Sequence, residues 1–508
     1  MDANNRIADL LAAKLNGKVV VSTDIAFSEI KETEIDDLSD KILAFFEGKP
    51  GVLTNDTLTQ IKKELEEKQQ AEQINAIEVS RSSEYKPLAK EYEGNFRIRN
   101  LAADKTLGTT GAFSEYFDDR FKKLSDFLRG NGRQTAGAIG NLEAMKQYAT
   151  GKELSVVGMV YDKVVTKNGN VMVTIDDQSG SAKILFMKPQ SKYDKKQNEL
   201  FDMAKHIAYD DVLAIHGKMF NQFLIATSLA LPDIPIRPKK LAEVDLALAM
   251  TSDIHIGSKK FLGKQFEHMI KWLKGEVNYR KDLAGKVKYL SIAGDVADGI
   301  GVYPNQDKEL EITDLYSQYD ALFKLIDEIP DYITVFLLPG NHDGVQKAEP
   351  QPPLGDDIVK DFKRDNVKIM SNPAYMNVEG LKVLGYHGSA LAGIIRYVPG
   401  CSWMKPETAM IELLKRRHLS PIYGGYVIVP SQKDTMVMDD VPDILHSGHA
   451  HKNGYAEYHG TVIVNSGTWQ DKTSYQIKQG HIPDPCRMPI YEMKSGKLQD
   501  IDFNIIGE

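Results

Sequence analysis

Tyr332-Ile-Thr-Val-Phe-Leu-Leu-Pro-Gly-Asn-His-Asp343 is the stretch on which the fold turns. Its first seven residues are a β-branched, aromatic and aliphatic run of strand length. Pro339-Gly340 stops that run, and an amide, an imidazole and a carboxylate follow at once. The arrangement recurs along the chain. Val244 to Met250 is an apolar run ending just before Asp253 and His255, and Val287 to Ala293 ends before Gly294-Asp295. Leu381 to Tyr386 ends at His387, and Asp443 to Leu445 leads into His446, His449 and His451. Helical patterns alternate with these runs, so residues 239–508 read as an α/β domain. The polar groups gather beyond the carboxyl ends of successive strands, where open α/β sheets place their sites.

These residue types suit two divalent ions. Oxygen and imidazole donors hold hard or borderline cations, and a carboxylate, unlike an imidazole, can bridge two of them. Asp295 is the natural bridge. Asp253 and His255, on alternate residues, could both reach one ion, and the neutral carbonyl of Asn341 limits the negative charge. Paired ions of this kind clamp the attacking and leaving oxygens of an in-line displacement at phosphorus. Singly the motifs are weak: Gly340-Asn-His-Asp343 could be a turn with a capping Asn, and Gly448-His-Ala-His451 a surface loop. Five together, each behind an apolar strand, are hard to explain by packing. His206, His216, His268, His418, His459 and His481 fall outside the motifs and read as surface or satisfied interior residues, and His446 is given no role.

Working outward, the chain is a multidomain α/β protein of 508 residues, 42% hydrophobic and 26% charged. Residues 1–50 read as a small helical domain, with Ile7, Leu10, Leu11 and Leu15 at helical spacing and Ile42, Leu43, Phe45 and Phe46 as a second buried face. Residues 51–112 read as a charged, partly disordered linker. In 113–150, Phe113, Phe117, Phe121, Leu124 and Leu128 return to a helical period. Residues 151–238 give three strands, a helix and two strands, the order of an OB-fold barrel. Pro232, Pro235 and Pro238 mark its end.

The net charge of −8 argues against a protein whose main task is to clamp duplex DNA unaided. Cys401 and Cys486 lie in no CxxC pair and read as two thiols in a reducing compartment. No apolar run is long enough to span a bilayer and no leader pattern opens the chain, so a cytoplasmic, nucleoid-associated protein without membrane contact is expected.

In this order the motifs resemble the calcineurin-like metallophosphoesterase superfamily. The resemblance implies a β sandwich flanked by helices. It implies one ion held by Asp253, His255, Asp295 and His451, and a second by Asp295, Asn341, His387 and His449. His342 matches the family's non-ligand histidine, which assists the leaving group, and Asp343 is expected to orient it. Longer strings, Asp298-Gly-Ile-Gly-Val-Tyr-Pro-Asn-Gln306, His418-Leu-Ser-Pro-Ile-Tyr-Gly424 and Asn465-Ser-Gly-Thr-Trp-Gln470, resemble small subunits of archaeal family D DNA polymerases. That implies a large catalytic subunit as heterodimeric partner. It also implies a Mn2+-dependent 3′–5′ exonuclease acting on single-stranded or primer-end DNA, with Mg2+, Fe2+ or Zn2+ as other candidate ions. Related double-strand-break-repair nucleases carry a His three residues after the bridging Asp; here that residue is Asp298. Two other readings stand beside this one: a catalytically silent subunit that docks the large subunit, and a free-standing metallophosphatase or phosphodiesterase.

Overall fold

The computed structural model describes residues 85–102, 108–130, 141–478 and 481–506, with Leu15, 19–21, Ile42, 51–53 and Thr57 of the first 84. The chain divides into two compact units, Met1–Glu84 and Tyr85–Glu508. In the first, β1 (Val19–Val21) pairs in parallel with β2 (Gly51–Leu53), two strands not expected there. Leu15 and Ile42 are buried. The expected helical positions Ile7, Leu10, Leu11, Leu43, Phe45 and Phe46, and the polar stretch 60–73, lie outside the described residues.

The second unit opens with a correction. Residues near 96–100, expected to continue the linker, form β3 (Phe96–Asn100), the edge strand of a six-stranded sheet. Phe96 and Ile98 pack on the core while Arg97 and Arg99 face solvent, the alternation of a half-buried edge. Helix α1 (Thr110–Gly130) follows. Its buried stripe runs Tyr116, Arg120, Leu124 and Leu128, four residues apart, so an arginine occupies an interior position. Phe113 and Phe117 instead meet Tyr423 edge to face. Arg120 donates from Nε to Asp434 Oδ2 at 2.7 Å and from Nη1 to the Pro421 carbonyl at 2.9 Å.

β4 (Glu153–Val165), β5 (Val171–Asp177), β6 (Gly180–Phe186), β7 (Val212–Phe220) and β8 (Phe223–Ala230) close a barrel in the order β4-β5-β6-β8-β7. Helix α2 (Lys195–Lys205) lies between the third and fourth strands. Inward residues such as Val156, Val173, Ile184, Ile215 and Leu224 fill it. Arg416 ties the barrel to the remainder of the unit, donating to Asp211 Oδ1 at 2.8 Å and to the His206 carbonyl at 2.8 Å.

β9 (Ala247–Thr251), β10 (Val287–Ala293), β11 (Thr334–Leu338) and β12 (Val367–Ile369) run parallel in one sheet. The second sheet is built from β13 (Ala374–Val378), β14 (Leu381–Tyr386), β15 (Ile444–Ser447), β16 (Asn453–Tyr458) and β17 (Thr461–Ser466), with β3 at its edge. β18 (Arg487–Glu492) and β19 (Lys497–Asp502) extend the first sheet antiparallel. Leu248, Met250, Tyr289 and Phe336 of one sheet share a core with Met376, Val383, Ile444 and Val464 of the other. The outer face of the first sheet is covered by α3 (Gly263–Leu273) and α4 (Leu315–Asp327), through Phe266, Trp272, Leu322 and Ile326. The second is covered by α5 (Leu391–Tyr397) and α6 (Pro406–Arg416), through Ile394, Met410 and Leu413. Four layers result, helix, sheet, sheet, helix. Strands buried on both faces explain why β9, β10 and β11 read as largely apolar rather than alternating runs, with Lys288 and Ser291 of β10 as buried polar exceptions. Among the described residues no helix is long and apolar enough to cross a membrane.

Candidate metal centre

The ligand-type residues all leave the carboxyl ends of the inner strands. Asp253 and His255 follow β9, Asp295 follows β10, and Asn341 to Asp343 follow β11. His387 follows β14, and His449 and His451 follow β15. Five of them, Asp253, His255, Asp295, His449 and His451, adopt left-handed backbone conformations with φ between 49° and 67°. Non-glycine residues sit there at a cost on the order of 1–3 kcal/mol each, and such strain clusters at functional sites. Two glycines make room for close approach. A Cβ on Gly340 would fall 2.2 Å from Asp295 Oδ1, and one on Gly448 would fall 2.4 Å from Asp253 Oδ2.

The structure brings the seven expected ligands together in two sets. In one, Asp253, His255 and His451 present atoms within 4.8 Å of one another. His255 Nε2 and His451 Nε2 face each other at 3.1 Å, with Asp253 Oδ1 3.3 Å from His451 and 3.9 Å from His255. In the other, Asp295, His387 and His449 converge, with His387 Nε2 3.3 Å from Asp295 Oδ2, 3.0 Å from Asn341 Oδ1 and 3.2 Å from His449 Nδ1. Asp295 Oδ2 also lies 3.9 Å from His255 Nε2, so this one oxygen adjoins both sets. The other oxygen, Oδ1, accepts the His342 backbone N–H at 2.8 Å.

Three observations fit these sets to cations. Asp253 Oδ1 is buried with no hydrogen-bond donor on it, while Oδ2 accepts the His449 N–H at 2.9 Å. Two imidazole nitrogens at 3.1 Å need a proton or a cation between them. The hydrogen bonds on the far side of the rings also fix which nitrogen is free. His387 Nδ1 donates to the Ala293 carbonyl at 2.8 Å, and His255 Nδ1 lies 3.1 Å from Asp298 Oδ1. Both therefore turn Nε2 inward, as metal-ligating histidines do.

The field is set by the same packing. Burial would raise the Asp295 carboxyl, but the imidazoles of His387 and His342 hold it well below the usual carboxylate range. Burial likewise opposes ionisation of Asp253, and His451 overcomes it. His387, which burial would lower, is pushed up to about 10 by Asp295. His449 is pushed down to about 3 by burial and by the neighbouring His387. A positive charge is thus favoured between Asp295 and the rings, and a divalent ion binding there would displace protons.

One residue differs from expectation. Asp343 does not orient His342. Its carboxylate accepts from the backbone N–H groups of Val296, Ala297 and Gly340 and from the Tyr319 hydroxyl, pinning the loops after β10 and β11 together. His342 is held instead through Nδ1, 2.7 Å from the Asp298 carbonyl, with Nε2 directed to within 3.9 Å of Asp295 Oδ2. Asp298 therefore positions two histidines, one through its side chain and one through its backbone, and Gln306 and Gln470 fix its carboxylate at 2.9 Å each. Its place three residues after Asp295 was the available signal. His446 bonds Ser291 and Ser466 and is a satisfied interior histidine.

A buried amide relay links the two loops of the Asn341–His387 set. Asn372 Oδ1 accepts the His387 N–H at 2.8 Å, and its Nδ2 donates to Gln351 Oε1 at 2.7 Å. Gln351 Nε2 in turn donates to the Gly340 carbonyl at 3.1 Å. Gln351→Leu takes the acceptor from the Asn372 amide and a side-chain donor from the Gly340 carbonyl, and is expected to weaken divalent-cation binding about 10–100-fold, the usual effect of losing an outer partner. Calorimetric titration checks this.

Residues 248–454 match the family of DNA polymerase alpha/epsilon B-subunits. The DNA polymerase II small subunit of Methanocaldococcus jannaschii is 36% identical over 431 residues, covering 83% of this chain and 71% of that protein. That of Archaeoglobus fulgidus is 40% identical over 392 residues, covering 76% and 75%. A solved archaeal phosphodiesterase aligns over 50% of this chain and 99% of its own, at 13% identity and a TM-score of 0.27, too loose a likeness to weigh further. With two relatives this similar over most of both lengths, the chain belongs to the family of archaeal DNA polymerase II small subunits.

Proposed function

We propose that this small subunit of an archaeal family D DNA polymerase is itself a nuclease, a metal-dependent phosphodiesterase removing nucleotides from DNA 3′ ends beside a polymerase large subunit. The observation that carries the reading is Asp295 Oδ2, buried between two sets of ligand-type atoms with none of the seven positions lost. A silent scaffold has no need of that set or of five left-handed residues around it. The strand order of the barrel supports an OB fold, and the four-layer sandwich supports a calcineurin-like phosphoesterase.

Two divalent ions, Mn2+ in our reading, would polarise the scissile phosphate and acidify a water at neutral pH. Asp253, His255 and His451 would hold one, Asn341, His387 and His449 the other, with Asp295 shared. The remaining steps belong to the chain. Asp298 and the Ala293 carbonyl orient the rings before substrate arrives, so little reorganisation is needed during the reaction. Asp343 fixes the loop that carries Asn341 and His342. With Nδ1 committed to the Asp298 carbonyl, His342 meets the departing oxygen through Nε2.

His342→Ala is expected to lower kcat by about 10^2–10^3-fold with both ions still bound. The deficit should shrink on a nitrophenyl phosphodiester, whose leaving group needs no help. An equal deficit on both substrates would remove His342 from the leaving-group role. The reading as a whole is tested by incubating the purified full chain with Mn2+ and a 3′-labelled single strand. Release of labelled mononucleotide is expected, and intact DNA would favour the docking scaffold.

A further inference from the structure

The chain has three tryptophans, and they divide by environment. Trp272 and Trp469 are fully buried, and their indole N–H groups are donated to the Tyr279 carbonyl at 2.7 Å and to Thr251 Oγ1 at 2.6 Å. Trp403 is half-buried, and the rings beside it are His449 of the candidate site, at 5.8 Å between centroids, and the neighbouring His481, at 6.5 Å. His481 is itself anchored, with Nε2 2.8 Å from the Ala450 carbonyl in the segment between His449 and His451.

The indole sits on a firm mount. Lys405 N–H donates to the Ser402 carbonyl at 3.2 Å, closing a four-residue turn with Trp403 and Met404 at its centre. Met404 is 47% exposed. The turn runs directly into α6, whose Pro406 is preset for a first helical turn and whose Met410, Leu413 and Leu414 are buried. A large flat apolar surface is thereby held at the border of a cluster that is otherwise imidazole, amide and carboxylate.

We propose that Trp403 is a nucleobase subsite, the platform on which the base of the 3′-terminal nucleotide stacks while its phosphodiester lies over the metal ligands. This rests on the phosphodiesterase reading above and adds the part of the substrate that the ligands cannot grip. A metal centre recognises only phosphate. Every base has a π face, so stacking on an indole adds affinity without reading sequence, which suits removal of any terminal nucleotide. Tyr303, 6.2 Å from His342 and held through its hydroxyl 3.3 Å from Glu309, is the rival platform that the test must separate from Trp403.

The test uses the full chain and fluorescent 12-mers ending in thymidine or in an abasic deoxyribose. Binding is read by anisotropy in chelator, and kcat/KM with Mn2+. The wild-type protein is expected to bind the thymidine end about tenfold more tightly than the abasic end. Trp403→Ala should bind both alike, and Trp403→Phe should keep most of the preference. A preference that survives Trp403→Ala, or vanishes only in Tyr303→Ala, overturns the subsite, as does its absence in the wild type. Cleavage without a base preference would remove the subsite and leave the nuclease. A Trp403-dependent preference without cleavage would leave the subsite and remove the nuclease.

Discussion

Asp295→Asn is expected to lower nuclease turnover on the order of 10^3-fold or more and to abolish Mn2+ binding at both sets of ligands, while the protein stays folded. Asn is the instructive replacement. Its side-chain oxygen can still accept the His342 N–H that Asp295 Oδ1 takes at 2.8 Å, so the loop after β11 keeps its anchor. What it lacks is the charge on the second oxygen, the one atom adjoining His255 on one side and His387 on the other. Loss at a peripheral ligand, His449 for example, should instead spare one of the two binding events. Calorimetry of both variants separates the cases, and an Asp295→Asn protein that still bound two ions would show that Asp295 is not shared.

The second large effect concerns stability. Asp434→Ala is expected to cost about 3–5 kcal/mol, because it leaves the Arg120 guanidinium buried without its counter-charge. Asp434 also accepts from Met436 N–H and lies 2.8 Å from His418 Nε2, so one carboxylate joins α1 to the segment after α6. Denaturant titration of the full chain checks the magnitude. The same cluster sets an acid limit. His418 is pushed down to about 4, by burial first and then by the Arg120 cation. Unfolded, it takes up a proton near pH 6.5. As pH falls from about 6.5 to 4, the unfolded chain therefore binds a proton that the folded one refuses, and about 3 kcal/mol of stability is lost. Asp434, held below the usual carboxylate range against its own burial by His418 and Arg120, extends that loss at lower pH. Stability measured at pH 7 and pH 5 should differ accordingly, and His418→Phe should flatten the difference.

How much of this could be read from sequence depends on how local each signal is. The candidate ligands are legible because each stands a few residues beyond a largely apolar strand, as with Leu338 and Asn341 or Tyr386 and His387. The barrel is legible for a similar reason: consecutive strands pair with near neighbours, and Gly169 marks a turn. β3 is not. Its partner β13 lies some 270 residues on, and the short Phe96-Arg-Ile-Arg99 alternation only has meaning beside that partner. Arg120 misleads for the same reason, since a charged residue on a helix reads as surface until Asp434 appears behind it. Asp343 follows His342 directly along the chain. In the turn after β11 they diverge, and the carboxylate folds back onto the amides of Val296 and Ala297. Gln351 and Asn372 carry no motif at all, because an amide relay is defined only by what it joins.

Anomalous diffraction from crystals of the full chain grown with Mn2+ tests the dinuclear centre most directly. Two peaks are expected, one among Asp253, His255 and His451 and one among Asn341, His387 and His449, with Asp295 between them. A single peak elsewhere, or none in this cluster at saturating Mn2+, would contradict it.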